Sequence, residues 1–511
     1  MSRIGKYDDA AWMPLALQVW GVFSLAMWLP AAHALIRNNH AVSRSFFYSG
    51  LLGVICVAMI ALALRGRRSR RGALGQLLVL FAVFAALPAF LAIPLHDAMR
   101  TTSFVNAYFD MVSAITTTGA NLFDDPARLD ASIHLWRAEV GWLGGLVMWI
   151  AAGAILAPLS LGGFEITARG QPGRSSDNAA AIARADPMRR VVRTTVVLTP
   201  VYAGLTVVVW VLLMVAGESA LTGLSHAMSV MATSGISPVG GLSGSASGVT
   251  GEAILFLFMF FALSRLTFSS DTANRGYARL DKDPEFRIGL MIVVGVPALL
   301  FLRHWLATLN IATASQGGAE PLQALWGAVF TVLSFLTTTG FVSADWGAAQ
   351  SWSGMGTPGL ILMGLALVGG GVATTAGGVK LLRVYVLYLS SARELERLVH
   401  PHSVGGGDPS HRRFRRDGAF IAWVFFMLFA LSLSLVTTVL AALGVGFEQS
   451  VVMAVATLST TGPLIEVAMD TPVRLIELGA GAKAVLCAAM VLGRLETLAI
   501  VALLTPDLWR N

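Results

Sequence analysis

Charge is scarce in this chain. Only 13% of its 511 residues are charged, against roughly 25% in an average soluble domain. Cysteine is nearly absent: Cys56 and Cys487 stand alone, each inside an apolar run. Neither a disulfide framework nor a zinc site is expected, and both are read as packing residues. Enzyme signatures are missing as well. There is no H-E-x-x-H, no G-x-S-x-G and no Rossmann fingerprint. His226, His400 and His402 lack sequence neighbours that would complete a metal site. The expectation is a protein that is not an enzyme. With no soluble nucleotide domain, it is not expected to hydrolyse ATP by itself.

What is present is apolar. Hydrophobic residues make up 55% of the chain, and the mean hydropathy is +0.70. Runs of about 20 apolar residues recur, enough to cross a hydrocarbon core of ~30 Å. They are continuous rather than alternating, which points to helices and not to barrel strands. The 52 glycines suit close helix contacts. The first run, residues 11–36, is too long for a signal-peptide core and lacks a clear cleavage site, so no cleavable leader is expected.

Ten spans follow: 12–36, 44–64, 74–97, 133–160, 194–216, 251–270, 287–309, 356–390, 419–443 and 475–505. The net charge of +7 raises the question of nucleic acid. The basic residues, however, sit in short loops between spans, so membrane lipid and not nucleic acid is the expected surroundings. Arg65, Arg67, Arg68, Arg70 and Arg71 follow the second span; Arg169, Arg174, Arg184, Arg189, Arg190 and Arg193 the fourth. Arg275, Arg279, Lys282 and Arg287 follow the sixth; Arg393, Arg397, Arg412, Arg413, Arg415 and Arg416 the eighth. Positive loops stay in the cytoplasm, which places both termini there.

One short pattern occurs four times. It reads Ser113-Ala114-Ile115-Thr116-Thr117-Thr118-Gly119-Ala120, then Ser229-Val230-Met231-Ala232-Thr233-Ser234-Gly235-Ile236. It returns as Ser334-Phe335-Leu336-Thr337-Thr338-Thr339-Gly340-Phe341 and as Val455-Ala456-Thr457-Leu458-Ser459-Thr460-Thr461-Gly462-Pro463. Each copy lies between two of the last eight spans and follows a short helical stretch: 103–116, 223–232, 322–336 or 447–458. The expected fold is an all-α polytopic membrane protein, with an N-terminal hairpin and four span–pore loop–span units around one pore. The units divide the chain at 1–72, 73–170, 171–280, 281–400 and 401–511.

Four such turns can ring an ion path with oxygens. A permeating cation must exchange water for protein oxygen, and rings of backbone carbonyls supply it without burying a full charge. Glycine permits the backbone angles that aim a carbonyl at the axis, and Thr or Ser adds hydroxyl oxygens. A helix ending at the turn contributes about half a negative charge. The candidate cation-binding residues of such a filter are Thr117, Thr118, Gly119, Thr233, Ser234, Gly235, Thr338, Thr339, Gly340, Thr460, Thr461 and Gly462. Asp124, Asp125, Asp130, Asp345, Glu466 and Asp470 would make the outer mouth acidic and concentrate cations there.

A second glycine-rich run, Gly369–Lys380, interrupts the span 356–390. It is superficially similar to a phosphate loop but fails the G-x-x-x-x-G-K-[ST] spacing and has no preceding strand. An unwound segment that gates the path fits better, with Gly370, Gly371, Gly377, Gly378 and Lys380 as gating residues; a flexible packing segment is the plainer alternative. Arg494 and Glu496 lie at membrane depth in the last span. Either Arg494 raises a barrier in the path, or the plainer reading holds: a structural ion pair with a neighbouring helix, or snorkelling of Glu496. Arg265 and Asp110 are weaker cases of the same kind; Asp110 is placed to brace the first turn from behind.

These residues resemble the Trk/Ktr/HKT superfamily of potassium and sodium transporters, nearest its bacterial TrkH branch. The matching pieces are Ile115–Ala120, Gly141-Trp142-Leu143-Gly144-Gly145, Gly369–Lys380, Arg397-Leu398-Val399-His400-Pro401 and Leu492-Gly493-Arg494-Leu495-Glu496. The resemblance implies a homodimer in a bacterial inner membrane with one pore per protomer. It implies a cytoplasmic regulatory subunit similar to TrkA, which would hold the nucleotide (ATP/ADP or NAD); this chain would hold no organic cofactor. It further implies that Gly369–Lys380 gates and that Arg494 narrows the path. Pro238 after the second turn and Thr460-Thr461 in the fourth depart from the pattern. Glycine in all four turns favours potassium. Two other classes stay open from sequence: a non-conducting receptor or scaffold, and a proton- or sodium-coupled symporter using Asp110, Glu139 or Glu496.

Overall fold

Helices account for every regular element among the described residues. The computed structural model describes residues 13–65, 73–157, 187–264, 283–308, 320–354, 357–400, 409–469 and 473–496. Arg67, Arg68, Arg70, Arg71, Arg169, Arg174, Arg184, Arg265, Arg275, Arg279, Lys282, His402 and Asp470 lie outside them.

The N-terminal hairpin comprises α1 (Leu15–Ala26), α2 (Trp28–Ile36) and α3 (His40–Leu64). The expected first span is broken at Met27, and Pro30 falls in the first turn of α2. Proline lacks an N–H and is tolerated there, because first-turn donors have no intrahelical partner. The same device splits the third span into α4 (Ala73–Ala85) and α5 (Leu87–Ala98), with Pro88 at the start of α5. Side chains dock the hairpin on its neighbour: the His33 ring bonds the Ser132 hydroxyl at 2.9 Å, and Asn39 donates to Asp130 at 2.9 Å.

Four units follow. The first is α4–α5, the short helix α6 (Phe104–Ile115) and α7 (Ala131–Ala151). The second is α8 (Pro187–Val215), α9 (Ala220–Ala232) and α10 (Gly248–Met259). The third is α11 (Pro284–Thr308), α12 (Glu320–Leu336), a small helix α13 (Trp346–Ser353), α14 (Gly359–Val368) and α15 (Leu381–Val399). The fourth is α16 (Pro409–Ala442), α17 (Phe447–Leu458), one helical turn α18 (Leu464–Val467) and α19 (Ala480–Leu495). The short stretches expected before the turns are the helices α6, α9, α12 and α17. Polar caps start two of them: the hydroxyls of Ser103 and Ser219 accept from the backbone of Asn106 and Thr222.

Among the described residues, seven helical segments are long and apolar enough to cross a membrane: 15–36, 40–64, 75–98, 131–156, 188–215, 284–302 and 418–442. The other three expected spans are shorter in the described residues. One is cut at Val368 and resumes at Leu381; the others are Gly248–Leu263 and Ala480–Leu495. The chain is a multi-pass membrane protein.

The units close on one another. α7 packs on α9, α10 on α12, α14 on α17, and α19 on α6. In each case the second span of one unit holds the short helix of the next, and the fourth unit returns to the first. This circular exchange gathers the C-termini of α6, α9, α12 and α17 at one place.

Candidate functional site

Each short helix ends in the same unusual way. Thr117, Thr233, Thr338 and Thr460 have φ of 54°, 52°, 57° and 54°. A β-branched residue rarely occupies this left-handed region, and doing so costs on the order of 1–3 kcal/mol. The conformation caps the helix and turns the chain back. Thr118 donates its N–H to Ser113 at 2.9 Å, Ser234 to Ser229 at 2.9 Å, Thr339 to Ser334 at 2.9 Å and Thr461 to Ala456 at 2.7 Å. One geometry is thus built four times from unlike sequences.

Glycine then continues the turn at Gly119 (φ 67°), Gly235 (φ 65°) and Gly340 (φ 82°). Gly462 has no left-handed φ, so the fourth turn departs from the expected equivalence. Its N–H bonds the Thr118 carbonyl at 2.6 Å instead. Neighbouring turns touch in strict order. A Cβ on Gly119 would collide with the Ser234 carbonyl, on Gly235 with that of Thr339, on Gly340 with Pro463, and on Gly462 with the Ala120 backbone. The twelve residues singled out from sequence are therefore gathered in one closed ring.

Hydroxyls behind the ring brace it. Thr116 and Thr118 are 2.8 Å apart at Oγ1, Thr337 and Thr339 3.0 Å, and Ser459 and Thr461 3.3 Å. The hydroxyls of Thr117 and Thr460 are buried and make no hydrogen bond among the described residues. That of Thr233 bonds its own helix at Ala232. That of Thr338 accepts the Gly377 N–H at 2.7 Å.

This last contact belongs to the glycine-rich run, which forms a loop between α14 and α15. Val379 and Lys380 donate to Leu367 and Val368 at 2.9 Å each, so the loop folds back on the helix it leaves. Gly371 donates to Ala262 at 3.0 Å, and Val372 to the Glu285 carboxylate at 3.0 Å. Gly377 lies so close to Ser459 and Thr460 that a Cβ would overlap both. The loop is thus seated against the second, third and fourth turns. A cavity of only about 20 Å³ remains beside it, lined by Trp149, Met231, Thr233, Thr374 and Thr375 among others.

Arg494 is 4% exposed and donates to the Thr375 carbonyl of this loop at 2.6 Å. Glu496 is paired with Arg383 of α15 at 2.7 Å, whose guanidinium stands 3.8 Å from the Phe425 ring centre. Among the described residues, the structural ion pair considered for Arg494 and Glu496 is therefore seen for Glu496 and not for Arg494. Lys380 turns its ammonium onto the Ala376 carbonyl, within the loop itself. Asp110 pairs with Arg137 at 3.0 Å, and Arg137 also bonds Asn121 at 3.2 Å, which ties α6, α7 and the exit of the first turn. Arg137 and Arg383 escaped the sequence reading. Their one signal was a charge inside or beside an apolar run.

On the other face of the ring lies a vestibule of about 790 Å³. Gly119, Gly235 and Gly340 line it, with Asn121, Arg137, Glu448, Pro463 and Glu466. Burial raises the Glu466 carboxyl above its ordinary range; a hydrogen bond from Asn121 opposes this, the charge of Asp124 adds to it, and that of Arg137 opposes it. Glu218, before α9, is held below its ordinary range: burial would raise it, but bonds from Ser245, Ser247 and Ser219 outweigh that cost.

Residues 78–507 match the TrkH family, described as cation transport protein. The chain is 31% identical over 422 residues to the Trk system potassium uptake protein TrkH of Vibrio parahaemolyticus, covering 80% of each chain. It is 30% identical to that of Halomonas elongata and 29% to that of Escherichia coli, again covering 80% of each. The crystal structure of the potassium transporter TrkH from Vibrio parahaemolyticus superposes with a TM-score of 0.76 at 27% identity, covering 98% of this chain and 100% of that one.

Proposed function

Because this chain belongs to the TrkH family of cation transport proteins, we propose that it takes up potassium through a filter made by its four Thr/Gly turns. The observation that carries this reading is the closed order of contacts from Gly119 to Ser234, Gly235 to Thr339, Gly340 to Pro463 and Gly462 to Ala120. Four helix C-termini face one point, which favours a cation. Strained threonines hold carbonyl and hydroxyl oxygens where a dehydrated ion needs them. The unbonded hydroxyls of Thr117 and Thr460 are oxygens kept available.

Gly369–Lys380 is the gate in this reading. Gly377 lets its backbone lie against the turns, Gly370 and Gly371 let it pass close to residues 262–264 and Gly378 to the end of α14, Lys380 holds its shape, and Arg494 pins it through Thr375. Opening requires the loop to leave Thr338, Ser459 and Thr460. The vestibule is the outer mouth, and Glu448 and Glu466 attract cations there.

The chain then works as a bacterial inner-membrane homodimer with cytoplasmic termini. A nucleotide-binding (ATP/ADP or NAD) regulatory subunit docks on its basic inner loops. The relatives' designation as parts of a Trk system supports a multi-component assembly. The test is growth of a strain lacking its own potassium uptake systems on low potassium. This chain restores growth, and Gly340→Val, inserted normally, does not. Equal rescue by the variant rules out the filter.

A further inference from the structure

The third turn is held from outside its own unit. Glu252 sits in α10, on the second unit, and is 3% exposed. Its Oε2 accepts the Trp326 indole N–H at 2.8 Å and the Ser343 hydroxyl at 2.7 Å. Its Oε1 accepts the Ala344 backbone N–H at 2.7 Å. Trp326 lies on α12, which enters the third turn; Ser343 and Ala344 lie three and four residues beyond Gly340, where the chain leaves it. One carboxylate thus ties both sides of the turn together.

The surroundings allow the exiting segment little freedom. Gly327, beside Trp326, faces the Asp345 carbonyl with no room for a side chain. Phe341 meets the His226 ring of α9 edge-on at 5.4 Å. Ser343 also receives the Asp345 N–H at 3.1 Å. The first turn is braced differently, by Arg137 acting within its own unit on Asp110 and Asn121.

We propose that Glu252 is a positioning residue for ion discrimination: from the neighbouring unit it fixes where the third turn places its oxygens. The assignment rests on the filter reading above. Three converging donors need an acceptor-only group with two oxygens, and a carboxylate is that group. Glutamine has the same volume but only one acceptor oxygen, so it turns an N–H₂ toward one of the donors. The third turn then gains room to relax, and the oxygens of Thr339 and Gly340 no longer keep one distance from the axis.

The experiment is uptake of K⁺ and of Na⁺ by proteoliposomes bearing the purified full chain, wild type against Glu252→Gln, Trp326→Phe and Ser343→Ala. Glu252→Gln is expected to lower the K⁺-over-Na⁺ preference about fivefold, the factor corresponding to one hydrogen bond, while total cation flux persists. Trp326→Phe and Ser343→Ala shift the preference in the same direction by less. An unchanged preference in Glu252→Gln overturns the assignment, and so does reduced flux at constant preference, which marks a merely structural role. If Glu252→Gln does not fold, an unchanged preference in both other variants overturns it. A wild-type chain that conducts without preferring K⁺ refutes the filter reading itself, whatever Glu252 does.

Discussion

The Gly462 N–H reaches the Thr118 carbonyl at 2.6 Å across more than 300 residues of sequence. The bond joins the last turn to the first and closes the ring. It also explains why Gly462 alone lacks the left-handed φ of its three counterparts: its backbone is set by a neighbour and not by its own helix. Substituting Gly462 by alanine, whose Cβ would strike Ala120, is expected to open this seam. Potassium uptake falls at least tenfold while membrane insertion, read by fractionation, is unchanged.

The loop below the ring depends on one small residue. Gly377→Ala forces the loop off Ser459 and Thr460 and is expected to raise flux measured without any regulatory partner. Arg494→Ala frees the Thr375 carbonyl and is expected to act in the same direction, because the pin is lost. Lower flux in both variants would contradict a gating role; a large loss of folded Arg494→Ala protein would instead mark that arginine as structural.

Arg383 and Glu496 form a buried pair between α15 and the end of α19. Removing one partner of such a pair costs roughly 3–5 kcal/mol, because the other charge stays buried. Arg383→Gln is expected to lower the melting temperature in detergent clearly. The double variant Arg383→Gln, Glu496→Gln should recover part of the loss, since no charge is then left alone. Equal melting of single variant and wild type would contradict the pairing.

With the vestibule as the outer mouth, as proposed above, Glu466 gives it a pH dependence. Its carboxyl is raised chiefly by burial, so it takes up a proton at a higher pH than an ordinary glutamate. As external pH falls through that raised value, the mouth loses negative charge and cation entry slows. For stability the sign is opposite: the protonated form suits the buried site, and this contribution is present below the unfolded pKa and lost as pH rises through the folded one. Flux against external pH should show an acid limb that Glu466→Gln flattens. An identical limb in the variant would contradict the assignment.

The fold class was legible because apolar runs and repeated turns are local signals. α6, α9, α12 and α17 lie within a few residues of their expected bounds. The break in the eighth span was legible too, because glycine cannot hide in a helix of that length. The bracing network was not. Arg137 reaches across its own unit to Asp110 and Asn121, Glu252 reaches Ser343 and Ala344 about 90 positions on, and Arg383 reaches Glu496 in the next unit. A single charge in an apolar run announces that a partner exists and does not name it. The asymmetry of Gly462 was equally hidden, since four similar strings suggest four equal turns. Arg494 and Glu496, adjacent but for one residue, suggested a joint role; Arg494 lies in the last turn of α19 and reaches Thr375, whereas Glu496 lies just past the helix with a φ of 63° and turns to Arg383.

Potassium and sodium uptake by proteoliposomes containing the purified chain, wild type beside Gly119→Ala, tests the shared ring most directly. A methyl at Gly119 has to displace the Ser234 carbonyl. The account predicts potassium uptake well above sodium uptake in the wild type and loss of both in the variant, with folding intact. Equal uptake by Gly119→Ala, or a conducting wild type that does not favour potassium, would contradict it.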